Sequence, residues 1–240
     1  MIVFVLKLYK NESEQDSMII NPQELQSFSV VIMLVKWLMI DRRCPIIKIS
    51  IAQYISCSIS NGPGRRAVIW LYGCDKNCID CCNPSFQKFI EPNTDISEFS
   101  SKINKDYDNL NLRGFTFSGG EPLHPLHADA VKQIITNIKT ETNADIMAFS
   151  GYTQQEIQQM EWVTQYFDLI IAGPYIKELK NKTGILASNN QEILRFNDKF
   201  EDVNDYNLKN DKRIIETYID NKGNIIVTGL ISNHEINVFQ

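Results

Sequence analysis

Apolar residues in this chain follow two rhythms, one of period two and one of period near four. The run Ile47 to Gln53 (IKISIAQ) alternates and predicts the first strand of a core. Ala67 to Tyr72 (AVIWLY) is apolar throughout, as a strand covered on both faces requires. Gly114 to Ser118, Asp145 to Phe149 and Asp168 to Ala172 repeat the strand signal. Helical spacing lies between them. Thr94 to Tyr107 starts with a capping residue and carries Ile96, Phe99 and Ile103 on one side. Leu126 to Thr140 carries Ala130, Val131, Ile134, Ile135 and Ile138, and Thr153 to Gln165 reads as a further helix. Alternating strand and helix predicts an α/β fold with a parallel sheet, open or curled as a partial (β/α) barrel.

Both flanks break the rhythm. Asn197 to Asp211 is polar and acidic, expected as a linker or surface excursion. The runs RIIETYID and NIIVTG, about a turn at Asn221-Lys222-Gly223, predict a C-terminal β-hairpin. Near the other end, Ser29 to Ile40 (SVVIMLVKWLMI) is apolar but too short for a bilayer, which takes about 20 residues. A buried helix or strand is the expectation there, rather than a membrane anchor. The chain thus divides into an extension over 1–46, a core over 47–200, and a linker with hairpin over 201–240. The extension reads as an accessory element or as residues upstream of the natural start, with Met18, Met33 and Met39 as alternatives.

Composition changes this picture little. A chain of 240 residues with 43% hydrophobic content suits one sizeable α/β domain and an appendage. The net charge of −5 offers no basic footprint for nucleic acid. Six cysteines show no disulfide-framework spacing, and no cationic signal peptide leads the chain, so a reducing cytoplasm is the default expectation.

Three of the cysteines carry the chemistry. Cys74, Cys78 and Cys81 stand in the spacing C-x3-C-x2-C, close enough for one loop to present three thiolates to one centre. Thiolates are soft ligands, which points to an iron–sulfur cluster or zinc. A closed zinc site wants a fourth protein ligand, and Cys82, adjacent to Cys81, is poorly placed to supply it. A cubane held by three cysteines keeps one iron open to a substrate. Downstream, Thr116-Phe117-Ser118-Gly119-Gly120-Glu121-Pro122 ends a strand in two glycines that let backbone approach a ligand. His124 and His127, just beyond, read as a solvated helix start.

With both motifs in this order, the chain resembles the radical S-adenosylmethionine enzymes, specifically the small activating proteins of anaerobic ribonucleotide reductase. Asn61-Gly62-Pro63-Gly64-Arg65-Arg66 is similar to that subgroup's DGPG-x-R segment, and Cys81-Cys82-Asn83-Pro84 to its C-x-N-P continuation. Phe149-Ser150-Gly151-Tyr152-Thr153 resembles its SGYT turn. Ala172-Gly173-Pro174-Tyr175 and Ser188-Asn189-Asn190-Gln191 resemble its DGPF and GSSNQ segments. The likeness runs from about Ile47 to Phe196.

The resemblance implies a partial barrel of the radical S-adenosylmethionine type and a 4Fe–4S cluster on Cys74, Cys78 and Cys81. It also implies reductive cleavage of S-adenosylmethionine to a 5′-deoxyadenosyl radical that abstracts hydrogen from a glycine of a partner enzyme. Gly119, Gly120 and Glu121 match the element that receives the methionine amino group; Asn83, Arg66, Ser150 and Tyr152 match positions near cofactor or cluster. A flavodoxin or ferredoxin would donate the electron. Departures fall at Asp80 and Cys82 around the last cysteine, and at Ala172, Leu186 and Ala187 in the segment expected to face a partner. Those last three weaken the match to a ribonucleotide reductase as partner. Two alternatives stand beside this expectation. One is radical modification of a peptide or small molecule, as in deazapurine synthesis; the other is a non-catalytic iron–sulfur module.

Overall fold

The computed structural model describes residues 4–11, 14–20, 47–219, 223 and 225–230. The chain divides into two compact units, Met1–Ile46 and Ile47–Gln240. In the first, β1 (Phe4–Asn11) and β2 (Glu14–Ile20) pair antiparallel. The apolar run over 29–40 and Cys44 lie outside the described residues.

The second unit opens with β3 (Lys48–Ile49), β4 (Ile51–Ser58) and β5 (Arg66–Leu71), so the expected first strand begins later and runs to Ser58. There follow β6 (Thr94–Asp95), α1 (Ile96–Leu110), β7 (Gly114–Gly119), α2 (Ala128–Glu141) and β8 (Asp145–Ser150). Then come α3 (Gln154–Gln158), α4 (Glu161–Tyr166), β9 (Leu169–Ala172), β10 (Glu192–Arg195), α5 (Asp205–Asn210), β11 (Glu216–Ile219) and β12 (Ile225–Thr228). The main sheet has the order β10-β9-β8-β7-β5-β4.

The expected parallel sheet is present only in its middle four strands, β5, β7, β8 and β9. The outer strands β4 and β10 run antiparallel to their neighbours, so the sheet is mixed. For β4 connection length explains this, since a parallel partner needs a long crossover and β4 reaches β5 through the short loop 59–65. The longer connection over 173–191 between β9 and β10 holds a 3₁₀ turn but no α-helix to cross the sheet.

The helix expected over Thr153 to Gln165 is two short ones, broken at Met160 (φ −96°, ψ 81°). Ile157 and Val163 are both fully buried, and six residues of unbroken helix would turn them about 120° apart. The break lets both reach the core. The polar segment over 197–211 is also more than an excursion. Its 3₁₀ turn and α5 bury Phe200 completely and Leu208 nearly so.

Alternation along the strands gives the sheet two distinct faces. Ala67, Ile69, Leu71, Phe115, Phe117, Ile146 and Ala148 point to the face covered by α1, α2 and the α3–α4 pair. The other face has two separate apolar covers. Over β4 and β5, Tyr218 and Ile226 of the C-terminal hairpin pack on Ile55, Val68 and Trp70. Over β8 and β9, Leu186, Phe200 and Leu208 pack on Met147, Leu169 and Ile171. A trough remains between the two covers.

Candidate metal and cofactor site

The trough is a cavity of about 600 Å³, within the range of small-molecule sites. Its floor is set by strand register. Gln53 pairs with Trp70 and Trp70 with Ser118, while Phe149 follows the Phe117–Ala148 pair. Those four residues, one from each of β4, β5, β7 and β8, all line it.

The cysteine loop leaves β5 at its carboxyl end, where α/β sheets keep ligand sites. Gly73 turns the chain at φ +98°, and the loop closes on itself through Gly73 N–H to Phe86 O (2.8 Å) and Cys74 N–H to Gln87 O (2.9 Å). Asn77 and Asp80 adopt left-handed conformations within it. Cys74, Cys78 and Cys81 are half-buried, free of disulfides, and line the cavity together. A hydrogen bond from the Cys82 thiol, helped by the Asn83 N–H, draws Cys81 down, whereas burial pushes Cys74 up to about 11 and Cys78 up as well. Among the described residues no three Cys, His, Asp or Glu side chains converge on a single ion. A cubane asks for something different, since each cysteine takes its own corner iron. Three soft thiolate donors lining one cavity fit a cluster by their chemistry.

The Gly119-Gly120-Glu121 turn lies beside the cysteine loop and lines the same cavity. Gly120 N–H donates to Leu71 O and Glu121 N–H to Gly73 O, each at 2.8 Å. A Cβ on Gly120 would stand 2.4 Å from Gly73 O and 2.9 Å from Phe86 O. The glycine is therefore demanded by the backbone of the cysteine loop, not only by an approaching ligand. Glu121 is buried, and its carboxylate accepts from Leu123 N–H (3.0 Å), Ser150 Oγ (2.9 Å) and Gly151 N–H (2.6 Å). Burial pushes it up to about 7 against the pull of those three donors.

Asn83 and Ser150 line the cavity, while Arg66 and Tyr152 do not. Arg66 begins β5, at the end of the strands away from the cysteines, and is fully buried. Its guanidinium pairs with Asp145 and donates to Thr116 Oγ1, Phe115 O and Pro63 O, braced over the Phe200 ring. Sequence spacing cannot reveal this, because position 66 reaches the cluster loop only by running the length of β5. Tyr152 presents its ring to Lys76 Nζ at 3.6 Å, and Lys76 also reaches Glu156. The pair ties the cysteine loop to the turn after β8. His127, expected in solvent, is buried against Phe89.

The rim beyond β9 is a further bonded unit. Asn190 Nδ2 donates to Pro174 O (2.8 Å), Gln191 Nε2 to Gly173 O (2.9 Å), and Gln191 Oε1 accepts from Ala187 N–H (2.7 Å). Lys177 Nζ meets Asp80 Oδ2 at 2.6 Å, joining this rim to the cysteine loop. Trp70, buried in the core cluster with Ile55 and Val68, also floors the cavity. No periodicity could have separated it from the rest of AVIWLY, apolar on both faces.

A strand-end thiolate loop and a glycine–glutamate turn on one cavity define a cluster-binding α/β protein. The family model described as "4Fe-4S single cluster domain" matches residues 60–194, and the chain belongs to that family, within the radical S-adenosylmethionine group of anaerobic ribonucleoside-triphosphate reductase-activating proteins. The relative of that name from Vibrio cholerae is 33% identical over 150 residues, covering 60% of this chain and 96% of the relative. The one from Enterobacteria phage T4 is 32% identical over 143 residues, covering 57% and 88%. The one from Escherichia coli K12 is 26% identical over 147 residues, covering 59% and 95%.

Proposed function

We propose that this protein is a radical S-adenosylmethionine activase that installs a glycyl radical on an anaerobic ribonucleotide reductase. The carrying observation is the convergence of Cys74, Cys78 and Cys81 with the Gly119–Glu121 turn on one cavity. Cys74, Cys78 and Cys81 hold the 4Fe–4S cluster, and Gly119, Gly120 and Glu121 frame the seat of the methionine end. When bound, cluster and S-adenosylmethionine together supply a 5′-deoxyadenosyl radical that takes a hydrogen atom from glycine. The chain's own groups do the positioning. Glu121 locks the Ser150-Gly151 turn, and Asn83 N–H steadies the Cys81 sulfur. Arg66 and Tyr152 act as braces outside the cavity.

In this reading the six-stranded sheet is a partial (β/α) barrel, completed in use by the partner protein. A flavodoxin or ferredoxin supplies the electron, and the setting is the cytoplasm. Among the described residues no helix is long and apolar enough to cross a membrane. The test is anaerobic reconstitution. Expected are about four irons per chain, a reduced-state EPR signal perturbed by S-adenosylmethionine, release of 5′-deoxyadenosine, and a glycyl radical on the added reductase. Replacing Cys74, Cys78 or Cys81 with Ala abolishes the signal, whereas Cys57→Ala keeps it. Stoichiometric zinc with no cluster after reconstitution sinks the reading.

A further inference from the structure

The C-terminal hairpin lies beyond residues 60–194, the stretch the family model matches, yet it forms a wall of the cavity. It is firmly seated. The Glu216 carboxylate accepts from Ser58 Oγ (2.5 Å), Ile59 N–H (3.0 Å) and Ser60 N–H (2.9 Å). The Tyr218 hydroxyl donates to Cys57 O at 2.6 Å, and Asn61 Nδ2 donates to Thr228 Oγ1 at 2.8 Å.

The way it lines the cavity is informative. Ile226, Val227 and Thr228, three successive residues of β12, line it, followed by Gly229 and Leu230 of the bend beyond the strand. Neighbouring side chains of a strand point to opposite faces, so a strand presents consecutive residues to one space only when its edge, with its main chain, is turned that way. Among the described residues β12 pairs with β11 alone, in a two-stranded sheet. Its far edge therefore carries main-chain N–H and C=O groups with no ladder partner among those residues, and unpaired edges are templates for another strand. The floor beside it is apolar at Ile55, Trp70 and Phe149 and polar at Gln53 and Ser118.

We propose that the β12 edge is the docking rail for the substrate, an extended glycine-bearing segment of the partner protein that adds to the hairpin as a third strand. This rests on the activase reading above and gives that site its mode of recognition. Main-chain pairing holds the segment by its backbone, which suits a glycine that has no side chain to grip, and the apolar part of the floor takes its alternate side chains. The hairpin thereby sets which substrates fit. They must be strand-forming and slender, since the opposite rim at Tyr175 and Gln191 lines the same cavity.

The probe is a synthetic peptide spanning the radical-bearing glycine of the anaerobic reductase of the source organism, with two N-methylated versions. One is methylated on odd-numbered amides, the other on even-numbered amides. Binding is measured to the reconstituted full chain with S-adenosylmethionine present. The expected result is period-two: one version binds at least tenfold more weakly, the other like the parent, and the parent slows exchange at alternate amides of Ile226 to Leu230. Equal weakening of both versions, no effect of either, or no binding of the parent overturns the rail. So does protection of all five amides before peptide is added, since this chain's own residues then hold the edge. Activity on the intact reductase keeps the two ideas apart. A protein that cleaves S-adenosylmethionine and forms the glycyl radical, yet ignores the methylation register, loses only the rail. One that does neither loses the activase reading.

Discussion

Gly120 shows how a residue can serve a ligand site without touching the ligand. Read as sequence, the paired glycines open space for a cofactor. In the structure a Cβ at 120 would press on Gly73 O and Phe86 O, the two ends of the cysteine loop. Gly120→Ala is therefore expected to cost about 1–3 kcal/mol as overpacking and to lower the iron retained per chain. A variant that keeps its iron and loses only affinity for S-adenosylmethionine would return the glycine to the cofactor. Arg66 is the converse case, a residue matching a cofactor position that serves the frame. Removing one partner from a buried ion pair costs roughly 3–5 kcal/mol when the other charge is left alone, but Asp145 keeps Arg113 Nε at 2.6 Å. At about 2–4 °C per kcal/mol for a domain of this size, Arg66→Met should melt lower by less than about 20 °C. If melting is unchanged while cofactor affinity falls, the brace is wrongly placed. The grouping of the three cysteines on one loop was legible because their spacing is local. Arg66 was not, because its partners Asp145, Thr116 and Phe200 are distant in sequence.

Among elements, the strands and longer helices followed their periods closely, since a two-faced sheet leaves each apolar position little choice. What the period could not give was direction. β4 and β10 have ordinary strand patterns, and nothing in those patterns marks them as antiparallel. The rim after β9 also looked different from sequence. Ser188 to Gln191 was expected as a loop facing a partner, and its Asn190 and Gln191 amides in fact hold the Gly173–Pro174 carbonyls. Asn190→Ala should cost about 0.5–1.5 kcal/mol, leave 5′-deoxyadenosine release without partner nearly intact, and reduce the glycyl-radical yield with it. Equal loss of both would assign Asn190 to the cofactor instead. The hairpin carries a pH dependence. Burial raises the Glu216 carboxyl, but hydrogen bonds from Ser58, Ser60 and Tyr218 outweigh it and hold the group below the usual 4.5. Its stabilising contribution is thus complete above 4.5 and lost as pH falls through the lower folded value. Exchange at the Ile59 and Ser60 amides should quicken over that acidic range and lose this dependence in Glu216→Gln.

Over the whole molecule, stability is unevenly shared. β5, β7 and β8 are buried on both faces, whereas the segment over 74–90 holds one 3₁₀ turn and otherwise irregular chain. A metal that binds only the folded loop adds its binding energy to that loop. Chelating the cluster should therefore raise hydrogen exchange over 74–90 severalfold while β5, β7 and β8 keep their protection. Loss spread evenly over the sheet would mean that the cluster supports the entire fold. The fold class and the hairpin were legible as local pattern. The trough was not, because its floor comes from four strands and its two covers from segments over 185–208 and 216–228 that no local signal connects.

The seating of Glu216 on Ser58 spans 158 residues of chain, and that distance is also an interval of time. A ribosome adding about 5–20 residues per second makes the cysteine loop and the glycine turn many seconds ahead of the hairpin. The floor of the trough, drawn from strands that end by Ser150, is thus synthesised before the hairpin wall that closes its side.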